Sequence, residues 1–101
     1  PAVDRIYMVM VPVAMAIASA LPADHGCVAE RSLGNTQRAS LAYFIGIEPL
    51  AADSAEGRKC NWVVVTGDTR PELASPDGKW TRVWEGSRPG ERKEKFRLYR
   101  R

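Results

Sequence analysis

The hydrophobic pattern of the chain is strongest near its N-terminal end. No residue from Ile6 to Ala23 is charged, and this run contains Pro12 and then an alanine-rich stretch that reaches Ala20. The two alternating apolar rows before Pro12 are typical of a strand that is buried on both faces, and the stretch after it predicts a short buried helix. We therefore expect residues 1–23 to form an apolar strand or helix element of a core or of an assembly interface.

The same apolar run allows two other interpretations. As one helix, residues 6–23 would rise about 27 Å, close to the ~30 Å hydrocarbon core of a membrane. Alternatively, Ala18-Ser19-Ala20 fits the small-residue cleavage site of a signal peptide. The positive region that should precede such a signal is weak, because Arg5 is offset by Asp4. We prefer the core interpretation, with a membrane anchor and a signal peptide as alternatives.

Three strands are predicted in the second half of the chain. The clearest is NWVVVTG at 61–67, followed by KWTRVWEG at 79–86 and EKFRLYRR at 94–101. SPDGK at 75–79 carries turn residues at its centre and predicts a hairpin, and Pro89-Gly90 suits a type II turn. These segments together predict antiparallel pairing.

Two earlier segments have less regular patterns. Residues 40–50 contain β-branched and aromatic side chains and a glycine, which favours a strand, although Thr36 could cap a helix over the same region. Turn residues enclose 24–36, where we expect a short helical turn from Val28 to Leu33. The strand interpretation of 40–50 places four apolar side chains on one face: Leu41, Tyr43, Ile45 and Ile47.

The predicted elements indicate an α+β fold, mainly an antiparallel β meander of about four to five strands with an apolar N-terminal strand or helix element. The 101 residues are 45% hydrophobic and 27% charged, which is an ordinary composition for a folded domain. We expect one small domain over 1–101, in which 24–101 is the β-rich, basic part.

Positive charge is concentrated at the end of the chain. Residues 88–101 hold seven basic and two acidic side chains, a net charge of +5, whereas residues 1–87 hold eight basic and ten acidic ones, a net charge of −2. The overall charge of +3 therefore comes from the last strand and the turn before it.

The chain has two cysteines, Cys27 and Cys60. In an exported chain they would form one disulfide, worth about 3–4 kcal/mol in the chain-entropy model. In a cytosolic chain they would be buried thiols. Neither belongs to a C-x-x-C motif, so no zinc ribbon or thioredoxin-type site is predicted.

Strand alternation predicts a surface that combines aromatic and basic side chains. Such a surface is typical of a protein-binding hot spot, and its rings could also stack on single-stranded nucleic acid at about 1–3 kcal/mol per base. The plain alternative is that the rings belong to the core and the charges protect a sheet edge. We call this predicted surface the aromatic–basic face, and it consists of Trp80, Arg82, Trp84, Lys95, Arg97 and Tyr99.

The one candidate for catalysis or metal binding lies around His25, the only histidine. A Cys–His nucleophile would need an oriented base, but Asp24 and His25 are neighbours that point in opposite directions in an extended chain. A zinc site would need a fourth ligand besides His25, Cys27 and Cys60. We therefore expect a turn here, no catalytic residues, no metal, no cofactor and no small-molecule substrate.

The sequence favours a non-enzymatic binding or structural component of a larger protein assembly, which docks through its apolar N-terminus and the aromatic–basic face. One alternative is a secreted or periplasmic single-disulfide module of effector or inhibitor type, which begins near Leu21. Another is a single-stranded nucleic-acid-binding module. A cytosolic or assembly-bound location is favoured over export or membrane anchoring through residues 6–23.

Overall fold

The computed structural model of the protein describes residues 9–91 and 93–101. Within them the chain forms helices and a five-stranded mixed sheet, which confirms the α+β class and the expected number of strands. In chain order the elements are α1 (Val11–Ala20), β1 (Val28–Arg31), α2 (Asn35–Ile45), β2 (Leu50–Ala51), a 3₁₀ turn (Gly57–Lys59), β3 (Trp62–Gly67), α3 (Arg70–Leu73), β4 (Thr81–Gly86) and β5 (Lys95–Arg100).

The strands lie in the order β2-β1-β3-β5-β4. β1 is parallel to both β2 and β3, and β5 is antiparallel to both β3 and β4. The strands predicted from β3 onward are confirmed, but the hairpin predicted at 75–79 is wrong, because β5 lies between β3 and β4. β5 lies between β3 and β4 because it buries Phe96, Leu98 and Tyr99, whereas β4 is mostly exposed and forms an edge.

The hairpin in this part of the sheet is instead formed by β4 and β5. Its turn closes with a hydrogen bond from the Glu91 N–H to the Arg88 carbonyl at 3.0 Å. Gly90 has a φ of +81°, as the third position of a type II turn requires, so the turn predicted at Pro89-Gly90 forms.

The two faces of the sheet carry separate apolar clusters. We call the side of the sheet that α1 and α2 cover the helical face. The opposite side is covered by α3 and by the loop that follows α3, and we call it the loop face. On β3, Val64 belongs to the helical face, whereas its neighbours Val63 and Val65 belong to the loop face. The helical face buries Val28, Trp62, Val64, Phe96 and Leu98, and the loop face buries Ala29, Cys60, Val63, Val65, Leu73 and Tyr99.

α1 covers part of the helical face. The helix starts at Val11 with Pro12 in its first turn, where the missing N–H breaks no intrahelical bond. Its buried side holds Val13, Ala14 and Ile17, which lie in the helical-face cluster. The alanine-rich stretch is thus a helix packed on the sheet. Up to residue 8, the strand predicted before this helix lies outside the described residues. Residues 9 and 10, which belong to the same prediction, form a turn.

No helix of the described residues 9–91 and 93–101 has the length and apolarity needed to cross a membrane.

The strand predicted over 40–50 is wrong, because its first half belongs to α2. Leu41 is buried, and Phe44 and Ile45 pack against the same cluster, so the apolar spacing that decides the structure is helical. Gly46 then ends the helix in the left-handed conformation at a φ of +68°, and its N–H bonds to the Ala42 carbonyl at 3.1 Å.

The helical turn predicted from Val28 to Leu33 is also wrong, because Val28–Arg31 is strand β1. This segment has parallel partners on both sides, and the ladder bonds outweigh the weak strand propensity of its alanine and glutamate. After the strand, the carboxylate of Glu30 is buried and accepts a hydrogen bond from the Leu33 N–H at 3.0 Å. That bond holds the turn between β1 and α2.

Candidate docking surfaces

The structure places five of the six residues of the aromatic–basic face on the loop face. Lys95, Arg97 and Tyr99 alternate along β5 as predicted, with Tyr99 in the loop-face cluster. Arg82 is the register partner of Tyr99, and Trp80 packs against the loop-face cluster.

Trp84 is the exception, and the prediction that it shares a face with Trp80 and Arg82 is wrong. It pairs with Leu98 and packs against the helical-face cluster. The cause is a register irregularity between Arg82 and Trp84, which inserts Val83 into β4 as an extra residue. A β-bulge of this kind reverses the alternation beyond it, so one added residue moves Trp84 to the other side of the sheet.

Two of the three basic side chains of this surface, Arg82 and Arg97, share one carboxylate, that of Glu85. Its Oε2 accepts a hydrogen bond from Nε of Arg97 at 2.6 Å and lies 3.2 Å from Nη1 of Arg82. The bond from Arg97 is also the main reason that the pKa of Glu85 is lowered. Of the cations predicted for this surface, only Lys95 has no ion pair among the described residues.

The hydroxyl of Tyr99 connects this ion pair to the loop above it. The hydroxyl donates to the Leu73 carbonyl at 2.6 Å and accepts from Nη1 of Arg97 at 3.1 Å. The bond to Tyr99, followed by the one to Glu85, raises the pKa of Arg97. These bonds hold Tyr99 as part of the core, so its ring is buried rather than displayed for a partner.

Trp80 is covered by the last described residue. The guanidinium of Arg101 lies 4.6 Å from the centroid of the Trp80 ring, a cation–π distance. Nη2 of Arg101 also donates to the carbonyls of Arg58 and Cys60, both at 2.6 Å. Together with Tyr99 and Trp84, Trp80 therefore offers little free ring surface on the predicted face.

Among the described residues, three of the four larger exposed apolar side chains lie on the helices or next to them, and the fourth, Val83, lies on β4. Met15 of α1 is 54% exposed, Val9 just before the helix is 38% exposed, and Tyr43 of α2 is 80% exposed. None of the ten residues of α1 is charged. Its one polar side chain, Ser19, turns back and donates to the Met15 carbonyl at 2.9 Å. We call this side, with Val9, Pro12, Met15 and Ser19, the open side of α1.

The two cysteines lie at disulfide distance, with their Cα atoms 5.2 Å apart. Cys27 precedes β1 and Cys60 precedes β3, so the link joins the starts of two neighbouring parallel strands. Cys60 is buried in the loop-face cluster, whereas Cys27 is exposed. The pairing considered from the cysteine count is thus compatible with the fold.

The sequence D-H-G-C does not assemble into a nucleophilic site. Cys27 lies at disulfide distance from Cys60, a pairing that leaves no free thiolate, and Nδ1 of His25 lies 2.5 Å from the carbonyl of Gly26. Gly26 adopts a φ of +69°, which makes the segment a turn. Among the described residues no three acidic, histidine or cysteine side chains converge on a metal position.

A carboxylate pair that the sequence analysis missed borders a cleft of about 490 Å³ at the carboxyl ends of β1 and β3. A hydrogen bond with Glu72 raises the pKa of Asp68, and a hydrogen bond from Thr69 lowers the pKa of Glu72. Parallel strands that end together are the signal that could have located this cleft, but β1 was not predicted as a strand.

No protein-family model, no curated protein and no solved structure matches this chain.

Proposed function

We propose that this protein is a non-enzymatic binding component that docks a partner protein through the open side of α1. The observation that carries the proposal is the composition of this helix. An α-helix that is apolar all round is normally buried all round. The inner side of α1 fills the core, but its outer side leaves Met15 54% exposed with no charge anywhere on the helix.

The chemistry of the open side favours an apolar protein surface as the partner. The Ser19 hydroxyl is satisfied within the helix, so the side chains of this surface offer no free donor or charge to a polar ligand. Full burial of a methionine side chain is worth about 1.5–3 kcal/mol. Coverage of Met15 and Val9 by a partner would therefore make a substantial contribution to binding.

The aromatic–basic face gives weaker support to the predicted function. Tyr99 is buried, Trp84 faces the helices, and Trp80 lies beneath Arg101. Base stacking needs free ring faces, so this arrangement does not favour the nucleic-acid alternative. We assign the surface a secondary role, in which Lys95 contributes charge at the border of an interface.

The test is an interaction measurement with Met15→Asp and a matched control. The wild-type chain and the two variants are each immobilised, and proteins from the natural source of the chain are captured on them. The amount of each captured protein is then compared among the three chains. Val83→Asp is the control, because Val83 is a 38% exposed apolar residue on the edge strand β4. We expect at least one partner to bind Met15→Asp about tenfold more weakly, or about 1.4 kcal/mol, with Val83→Asp unchanged. A set of partners that binds all three chains equally would contradict docking through α1.

A second candidate is favoured by the cysteines. A Cys27–Cys60 disulfide is typical of exported proteins, which supports a secreted or periplasmic binding module. If a signal peptide is cleaved at Ala18-Ser19-Ala20, as this candidate assumes, the mature chain begins near Leu21 and lacks α1. The helical face of the sheet would then lose the α1 side chains of its cluster, Val13, Ala14 and Ile17.

The intact mass of the protein from its own source, without reductant, separates the two candidates. A chain that retains α1 supports docking through that helix. A chain that begins at Leu21 and is two hydrogens light supports the exported module and removes the proposed docking surface.

A further inference from the structure

The link between Cys27 and Cys60 is asymmetric in its exposure. Cys27 lies at the end of residues 21–27, a segment that contains no helix or strand, and it is exposed to solvent. Cys60 is 1% exposed and belongs to the loop-face cluster. A thiolate that attacks a disulfide must reach one of its two sulfur atoms, and the rate depends on access to that atom. The Cys27 side of this bond is therefore the side that is open to attack.

The surroundings of Cys60 suit the thiol that such an attack would release. Its Sγ lies 3.6 Å from the carbonyl oxygen of Glu56. Once Cys60 carries a proton, its S–H can donate to that oxygen as a weak hydrogen bond. A free cysteine is also among the most commonly buried residues, because it behaves as a small apolar side chain. The loop-face cluster can therefore hold Cys60 in either state.

The two strands that the link joins are also held together without it. β1 and β3 form a parallel ladder that begins directly after the cysteines, with Val28 opposite Trp62 and Arg31 opposite Val65. Within this ladder Val63 is 0% exposed and lies in the loop-face cluster. Opening of the bond lowers the stability of the fold, because the unfolded chain is no longer cross-linked, but it removes no ladder bond between the strands.

We propose that Cys27 is a modification site at which a low-molecular-weight thiol opens this bond. The thiolate of the small molecule attacks Sγ of Cys27 and forms a new S–S bond there, and Sγ of Cys60 leaves with the electron pair of the old bond. The Cys60 thiolate then takes a proton from water. The products are a mixed disulfide on Cys27 and a buried thiol at Cys60, and the exchange needs no other oxidant or reductant.

The experiment maps this exchange on the wild-type chain with reduced glutathione as the probe. The oxidised protein is incubated with glutathione in native buffer, the reaction is stopped with acid, and free thiols are alkylated with N-ethylmaleimide in denaturant. Cleavage after Arg31 and Lys59 places the two cysteines on different tryptic peptides. We expect glutathione on the Cys27 peptide and the alkyl group on the Cys60 peptide, while the circular dichroism remains that of the folded chain.

Two single-cysteine variants form a matched pair for the same test. In Cys60→Ser, the exposed Cys27 should form a mixed disulfide with oxidised glutathione at least about tenfold faster than Cys60 does in Cys27→Ser, because exchange depends on access. Unfolding in urea should remove the difference, since both cysteines are then exposed. Equal rates in native buffer would overturn the proposal, because burial would then not protect Cys60.

Four results on the wild-type chain would also overturn the proposal. Glutathione on Cys60, or equally on both peptides, would mean that exposure does not select the attacked sulfur. The absence of an adduct would mean that the bond does not open under native conditions, and two free thiols in protein purified without reductant would mean that there is no bond to open. Loss of the folded circular dichroism would mean that exchange proceeds through the unfolded chain. None of these results bears on docking through α1, because Met15 and Val9 take no part in the exchange.

Discussion

The two faces of the sheet are stabilised by different kinds of interaction. The helical face is an apolar interface, in which Phe96 and Leu98 meet side chains from α1 and α2. The loop face has a smaller apolar cluster, supplemented by the Tyr99 hydroxyl, the Glu85 carboxylate and the link between Cys27 and Cys60. The difference follows from what covers each face, since a helix offers a row of side chains and a loop offers many backbone carbonyls.

The largest expected effect is on the helical face. Phe96 is 1% exposed, so Phe96→Ala should lower the free energy of unfolding by about 3–5 kcal/mol through lost burial and a cavity. Urea unfolding of the variant measures this. Phe96→Leu keeps most of the volume and should cost much less, and equal losses in the two variants would mean that volume is not what stabilises this face.

The disulfide should contribute next. Cys27 and Cys60 are 33 residues apart in sequence. Replacement of both by serine should lower the free energy of unfolding by about 3–4 kcal/mol, because the unfolded chain gains conformational entropy when it is no longer cross-linked. Thermal unfolding of the double variant is compared with that of the oxidised and the reduced wild-type protein. We expect the reduced wild-type protein and the double variant to unfold at the same temperature, well below the unfolding temperature of the oxidised protein.

The bond from Tyr99 to Leu73 tests whether the loop face depends on directional contacts. Tyr99→Phe keeps the buried ring and removes only the hydroxyl, so it should cost about 1–2 kcal/mol, because the Leu73 carbonyl loses its shorter hydrogen bond and keeps only the one from Nη1 of Arg97 at 3.5 Å. Chemical denaturation provides the value. A neutral Tyr99→Phe would show that the hydroxyl of Tyr99 does not stabilise the loop face.

The smallest effect concerns pH. The folded-state pKa of Glu85 is lowered by Arg97, so its ionised form stabilises the fold above the ordinary carboxyl pKa of about 4.3. That contribution is lost as the pH falls through the lowered folded-state pKa. Because the pair is partly exposed, we expect only about 0.5–1 kcal/mol.

Glu85→Gln isolates this contribution from those of the other carboxylates. Unfolding is measured for wild type and variant at neutral pH and again in acid, and the two stability curves should converge as the pH falls. A constant difference between the curves would show that the ionisation of Glu85 does not stabilise the loop face.

The strands in the second half of the chain could be predicted from local sequence patterns. Strands β3, β4 and β5 have strong alternation or β-branched runs and are bounded by turn residues, which are short-range signals. The first half was harder, because β1 has only four residues and depends on partners on both sides. In α2 the alternating and helical spacings coexist, and the packing of Leu41 on the sheet decided between them.

The predicted aromatic–basic face shows the same limit. Alternation correctly grouped Lys95, Arg97 and Tyr99 along β5, but it could not anticipate an extra residue at Val83. A bulge arises from how two distant strands register, so nothing in the residues of β4 alone marks it. The neutralisation of Arg97 by Glu85 has the same origin, since the two residues meet only when β4 pairs with β5.

By itself, the sequence determined the α+β class, the C-terminal strands, the absence of charge along residues 11–20 and the presence of one pair of cysteines. These properties depend on local spacing and composition. Only the tertiary structure decided the strand order, the side of the sheet that Trp84 occupies, the coverage of Trp80 by Arg101 and the exposure of Met15. Each of these depends on contacts between segments far apart in the chain, whose free energies no local pattern records.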